Sequence, residues 1–270
     1  MFLLLLSLLL TPPESSFDMH WAEWTKFREQ EGQGNSIDSA VKFFVGKPYL
    51  VGSLEGDGPE ELRYHIDGFD CFTLTEAAIA MCLVKDKDQN AYEEMLKLTR
   101  YREGVLDGYE SRLHYATEWS DQAVESGILT DVTTHFQGIL DWAKEINFMT
   151  QHSKFYPKLQ DDEIFRRVRK YEETLSKRKR HYLPLEKLEL NSSRFRAGDI
   201  IMILTKKEGL DVAHFCYVTK CPNTADSEKN IQMVHASSTR KAVVEVENMF
   251  EYLRHYPKIL GIMVFRIKNI

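Results

Sequence analysis

Along FDMHWAEWTKFREQEG the apolar residues Trp21, Trp24 and Phe27 fall three apart, which places them on one face of a helix. In NSIDSAVKFFVGKPYL, Ser36 reads as an N-cap, Ala40 to Val45 as helical body, and Gly46 with Pro48 as a stop. SLEGDGPEEL, rich in Gly and acid, reads as loop. The run CFTLTEAAIAMCLV (71–84) is apolar throughout and predicts a helix, with Asp70 as the N-cap that satisfies an orphan backbone N–H. From Asn90 to about Arg180 the pattern stays helical, through AYEEMLKLTRYREG, SRLHYATEWSDQAVESG, GILDWAKEIN and DDEIFRRVRKYEETLSKRK.

The last third changes period. DIIMIL (199–204), VAHFCYVT (212–219), IQMVHASS (231–238), AVVEVE (242–247) and ILGIMVFRI (259–267) read as short strands with turn residues between them. That spacing suits an antiparallel sheet. Helices first and strands afterwards imply an α+β fold in one domain over residues 17–270, with a helical insertion at about 88–190. No repeat of fixed period interrupts this order.

At the start of the chain, Phe2 to Leu10 is apolar apart from Ser7. It is shorter than the roughly 20 residues that span a bilayer, and it matches the centre of a secretory signal peptide, although no Lys or Arg precedes it. Residues 1–16 are therefore expected to be a leader, the competing reading being a buried N-terminal helix. The expectation is an exported, periplasmic protein with no stable membrane insertion after leader removal. Lys plus Arg is 35 and Asp plus Glu is 41, a net charge of −6; this acidic balance argues against a nucleic-acid partner. Export would permit disulfides, but Cys71 and Cys82 lie ~16 Å apart along one helix, beyond bridging distance. Free thiols are expected, with Cys82 and Cys216 as small buried apolar groups.

Cys71 stands where loop meets helix. A thiol attacks as thiolate, and the positive end of a helix favours a negative sulfur. A base and a group to orient that base are also needed. Strand parity puts His214 on a face with Val212, Cys216 and Val218, and His235 on a face with Ile231 and Met233, so both imidazoles point toward apolar surroundings. Taken singly, each residue is as well read as ordinary packing. One Cys with two His is also a conceivable zinc set, although there is no tight CxxC or HxxxH pair.

GFDCFTLTEA, DVAHFCYV after AGDIIMIL, and VHASSTRKAVV together resemble the NlpC/P60 cysteine peptidases. The fuller set, GKPYLVGSLEG, DGFDCFTLTEA, DGYESRLHYATEW and GLDVAHF with VHASS, is similar to one branch, the N-acetylmuramoyl-L-alanine amidase-like proteins grouped as DUF1460. The resemblance implies a papain-like core, with the Cys-bearing helix packed on the sheet. It makes Cys71 the nucleophile, His214 the base and His235 the group that orients it, with Tyr49 and Asp70 beside them. Cys216 stands where many relatives carry another small residue. In SRLHYATEW, Arg112, His114 and Tyr115 are expected at the substrate, Arg112 as a bidentate partner for a carboxylate; capping and packing are the equal alternative. SKRKRH (176–181) reads as a solvated basic helix end.

The function implied is a cysteine amidase cutting the N-acetylmuramoyl-L-alanine bond of peptidoglycan or muropeptides through a thioester, with no cofactor and no metal. The alternatives are a γ-D-glutamyl–diaminopimelate endopeptidase and a non-catalytic wall-binding module.

Overall fold

The computed structural model describes residues 16–31, 36–84, 87–221 and 230–268, so the leader expectation falls almost wholly outside the described residues. In chain order the helices are α1 (Ser16–Glu31), α2 (Ile37–Phe43), α3 (Cys71–Leu83), α4 (Gln89–Arg100), α5 (Ala116–Glu125), α6 (Phe148–Gln151), α7 (Asp162–Ser176) and α8 (Met249–His255). The strands are β1 (Leu129–Asp131), β2 (Leu140–Trp142), β3 (Arg180–Pro184), β4 (Ile200–Thr205), β5 (Val212–Lys220), β6 (Gln232–Ser237), β7 (Ala242–Val246) and β8 (Ile259–Ile267). They form one antiparallel sheet in the order β2-β3-β8-β4-β5-β6-β7, with β1 paired to β8 as well. The mixed helix and antiparallel-sheet α+β class expected from the sequence is present. Among the described residues, no helix is long and apolar enough to cross a membrane.

The sheet is covered on both faces, which is why β4 reads as an apolar run from Ile200 to Leu204, with every residue through Thr205 buried. One face, including Met202, Leu204, Phe215, Tyr217, Val234 and Ala236, joins the core formed with α1 to α5. The other, including Ile201, Ile203, Cys216, Val218 and Met233, packs on Met249, Phe250 and Leu253 of α8. A separate small cluster joins Tyr109 and Tyr115, ahead of α5, to Ile146, Met149, Val168 and Leu175, between α5 and β3. β8 approaches β3 closely at Gly261, where a Cβ would stand 2.5 Å from the Leu183 carbonyl oxygen.

Three expectations are corrected. GILDWAKEIN is not a helix: Leu140–Trp142 is β2, held at the sheet's end against Arg180–Tyr182. Arg180 of the basic run lies in β3, buried, and shares Asp121 with Arg178, so that stretch is not simply a solvated helix end. Val212 does not share a face with His214. The β4–β5 register slips between Ile203, opposite His214, and Leu204, opposite Val212. This bulge puts Val212 in the core with Phe215 and leaves His214 on the face of Cys216 and Val218. All four cysteines are free, and Cys82 and Cys216 are buried.

Candidate active site

The site begins with the cap of α3. Asp70 Oδ1 accepts the N–H groups of Phe72 (2.9 Å) and Thr73 (2.8 Å), while Thr73 Oγ1 accepts the Asp70 N–H at 2.9 Å. This reciprocal capping box fixes Cys71 as the first helical residue. The start of the helix is located in turn by Phe69, which bridges Tyr49 in parallel fashion, with Phe69 N–H donating to Pro48 C=O at 2.9 Å. One turn along, Thr75 Oγ1 donates to Cys71 C=O at 2.9 Å and also meets the Tyr217 hydroxyl, tying α3 to β5.

On β5, the residue after His214 supplies the contact to sulfur. The pairing of β5 with β6 is registered from Tyr217 onward. At the preceding, unregistered end the Phe215 backbone N–H comes near enough to the Cys71 sulfur to lower its pKa. His214 Nε2 lies 2.8 Å from His235 Nδ1, with the two rings perpendicular. Both side chains are over nine-tenths buried. Among the described residues, no hydrogen bond joins the Cys71 sulfur to either imidazole. The link between α3 and β5 runs through Phe215, the residue after His214.

Burial drives both histidines toward their neutral forms. It lowers His214 to about 3, with the charge of His235 acting the same way. Burial also lowers His235 to about 4, opposed by its bond to the Ala236 backbone and reinforced by Arg240. Two neutral rings carry one ring N–H each. With His214 donating through Nε2 to His235, its Nδ1 retains a lone pair for an incoming proton.

The sulfur is less acidic than the helix position alone suggests. Burial, with the Asp70 carboxylate next, pushes the Cys71 thiol up to about 12, and nearby backbone N–H groups only moderate this. Both shifts favour thiol and neutral imidazole over thiolate and imidazolium. Alkylation of Cys71 by iodoacetamide is expected to be slow at pH 7 and to rise steadily beyond pH 9. A plateau of full reactivity between pH 5 and 8 would show a preformed ion pair and overturn this.

Two tyrosines of the α8 segment complete the surroundings. Tyr256 stacks on His214, with ring centroids 5.8 Å apart and planes at 13°, and Tyr252 packs on His235 at 4.8 Å. Tyr49 and Tyr256 are both raised to about 12, by burial first and then by the proximity of Cys71. The sequence reading missed the α8 pair. The signal was available: Asn248 caps a short helix, and Tyr252 and Tyr256 fall four apart, on one face.

Tyr49 thus lies beside Cys71, and Asp70 is taken up largely by its cap. Arg112, His114 and Tyr115 are not brought to this site as free side chains. Arg112 is buried, bidentate to Glu60 (3.0 and 2.7 Å) and paired with Glu55 at 2.7 Å. This corrects the expectation that it is available to a substrate carboxylate. His114 Nε2–H donates to Tyr109 C=O at 2.9 Å, and Tyr115 donates to Glu172 at 2.7 Å while accepting Met149 N–H. The motif SRLHYATEW pins the 54–60 loop and the insertion to the body. Among the described residues, no group of three or more His, Cys, Asp or Glu side chains is arranged to hold a metal ion.

A model of AmiA-like, N-acetylmuramoyl-L-alanine amidase-like proteins matches residues 39–262. The chain belongs to this amidase-like family. Its solved neighbours include an N-acetylmuramoyl-L-alanine amidase from Bacteroides uniformis, 34% identical, covering 87% of this chain and 100% of that one with a TM-score of 0.79. A candidate xylanase from Bacteroides fragilis is 33% identical, covering 85% of this chain and 100% of that one at a TM-score of 0.77. A Legionella pneumophila protein assigned to DUF1460 shares the fold at 22% identity, covering 93% and 95% of the two chains at a TM-score of 0.67. No curated protein matches the chain in sequence. The amidase-like match spans every residue of the cluster described above, from Tyr49 to Tyr256.

Proposed function

We propose that the chain is a cysteine amidase that hydrolyses the bond between the lactyl group of N-acetylmuramic acid and L-alanine in peptidoglycan or muropeptides. The observation that carries the reading is the buried His214–His235 pair at 2.8 Å, with Phe215, the residue after His214, bringing its backbone N–H near the sulfur of a helix-start cysteine. The papain-like, NlpC/P60 assignment belongs to the same reading, as do export and a periplasmic location. Membership of the amidase-like family supports the substrate class.

Because Cys71 is a thiol at rest, its proton passes to His214 Nδ1 as the sulfur attacks the amide carbonyl. His235 holds the imidazole in the tautomer that leaves Nδ1 free and stabilises the imidazolium that forms. The Cys71 N–H is positioned to receive the developing oxyanion. His214 then gives the proton to the departing amine of L-alanine, leaving a muramoyl thioester. Water, deprotonated by the same imidazole, cleaves the thioester and restores the thiol.

The test is digestion of a purified disaccharide-tripeptide with mass analysis. The expected products are the disaccharide with its lactyl carboxylate and an intact peptide beginning at L-alanine. Release of diaminopimelate instead would move the cut to the γ-D-glutamyl bond. No cleavage would leave a wall-binding module.

A further inference from the structure

The histidine pair is closed into a ring of aromatic contacts. His214 and His235 meet edge to face at 4.9 Å, and His235 packs on Tyr252 at 4.8 Å. Tyr252 packs on Tyr256 at 5.7 Å, and Tyr256 returns to His214 at 5.8 Å. Of these contacts only Tyr256 on His214 is a stack, its planes 13° apart.

The stack falls where the backbone supports His214 least. The β5–β6 ladder is registered only from Tyr217, and the β4–β5 register slips just past Ile203, which stands opposite His214. The hydrogen bond to His235 fixes one ring nitrogen of His214 but not the plane of the ring. A flat ring against its face supplies that constraint and leaves both edge nitrogens open. Tyr256 is itself well anchored. Asn248 caps α8 by accepting Glu251 N–H, Met249 N–H donates to Ile231 C=O at 2.8 Å, and Met249, Phe250 and Leu253 are buried against the sheet.

The contact also bears on charge. When His214 takes the thiol proton, the imidazolium forms in buried surroundings, and no carboxylate pairs with either ring among the described residues. An aromatic face within about 6 Å attracts such a cation. The Tyr256 hydroxyl takes part in no hydrogen bond among the described residues, so the ring is the part of the side chain in use.

We propose that Tyr256 is a positioning residue of the acid–base pair: its ring sets the plane in which His214 presents Nδ1 to the thiol proton, and offsets the charge of the imidazolium that forms. The assignment rests on the amidase reading and extends its machinery to the α8 segment.

The test compares Tyr256→Met, which keeps apolar bulk without a ring, with Tyr256→Phe, which keeps the ring without the hydroxyl. On a muropeptide, Tyr256→Met is expected to lower kcat about tenfold, the scale of a desolvated cation–π contact. KM should stay within about twofold, because the stack acts on the proton acceptor rather than on substrate binding. Tyr256→Phe should keep the wild-type kcat. Nitrogen spectra of the His214 ring at pH 7 read the same contact without turnover. Wild type and Tyr256→Phe should show one tautomer, with Nδ1 unprotonated, and Tyr256→Met a mixture of both. A Tyr256→Met protein with wild-type kcat or a single tautomer, a loss confined to KM, or a Tyr256→Phe protein as slow as Tyr256→Met would overturn the assignment. Should Tyr256→Met fail to fold, Tyr256→Phe decides: a fall in kcat or a mixed tautomer there rules out the ring, and wild-type behaviour upholds it. Spectra that behave as expected, in a protein whose wild type cleaves no muropeptide, would keep the role of the ring and sink the amidase reading alone.

Discussion

Cys71→Ala is expected to lower kcat on a muropeptide by on the order of 10⁴ to 10⁶-fold, the loss typical when a nucleophile is removed from a coupled acid–base set. In barrier height this is about 5–8 kcal/mol. The fold should hardly notice. Cys71 occupies the first position of α3, and the cap that starts the helix belongs to Asp70 and Thr73. Removing one sulfur there should cost about 1 kcal/mol of stability. His214→Ala should fall to a similar rate, and the double variant should be little worse than either, because thiol and imidazole act as one unit. A Cys71→Ala protein that keeps more than about 1% of wild-type turnover, with its melting point unchanged, would remove the nucleophile from the mechanism.

The second large effect concerns stability. Glu76, five residues along α3 from Cys71, is fully buried and bonded to the equally buried Arg100 of α4, at 2.9 Å through Nε and 2.5 Å through Nη2. Arg100 Nη1 also donates to the Arg63 carbonyl, so one guanidinium joins α3, α4 and the loop before Asp70. Burial pushes the Glu76 carboxyl above its usual range, with Arg100 opposing. Arg100→Met strands a carboxylate in the core and is expected to cost about 3–5 kcal/mol in denaturant unfolding. Replacing both partners, Glu76→Leu with Arg100→Met, removes the charge with its partner and should recover most of that loss. Equal destabilisation of the single and double variants would mean that the pair contributes packing rather than charge compensation. The consequence reaches the chemistry, because α3 carries the nucleophile and depends on this anchor for its depth against the sheet.

Much of this architecture was legible in the chain because it is local. Period-2 and unbroken apolar runs located β4 to β8 within a residue or two, and a carboxylate ahead of an apolar run located the start of α3. The same local signal placed Cys71 at a helix mouth and drew attention to His214 and His235. What failed depended on partners distant in sequence. GILDWAKEIN has no strand pattern of its own and becomes β2 because β3 is there to pair with it. The face of Val212 was misjudged because a bulge is set by the β4–β5 register. Arg112 looked free until the fold brought Glu55 and Glu60 to it from more than fifty residues away.

The sequence by itself determined which residues could perform chemistry and which elements would hold them, since caps and hydrophobic periods act over a few residues of backbone. Only the tertiary structure decided their electrical state. Burial favours the protonated Cys71 sulfur against the pull of its helix and the neutral form of both imidazoles, because low-dielectric surroundings penalise any lone charge. It also decided that Arg112 is paired, since that depends on carboxylates delivered from elsewhere in the chain.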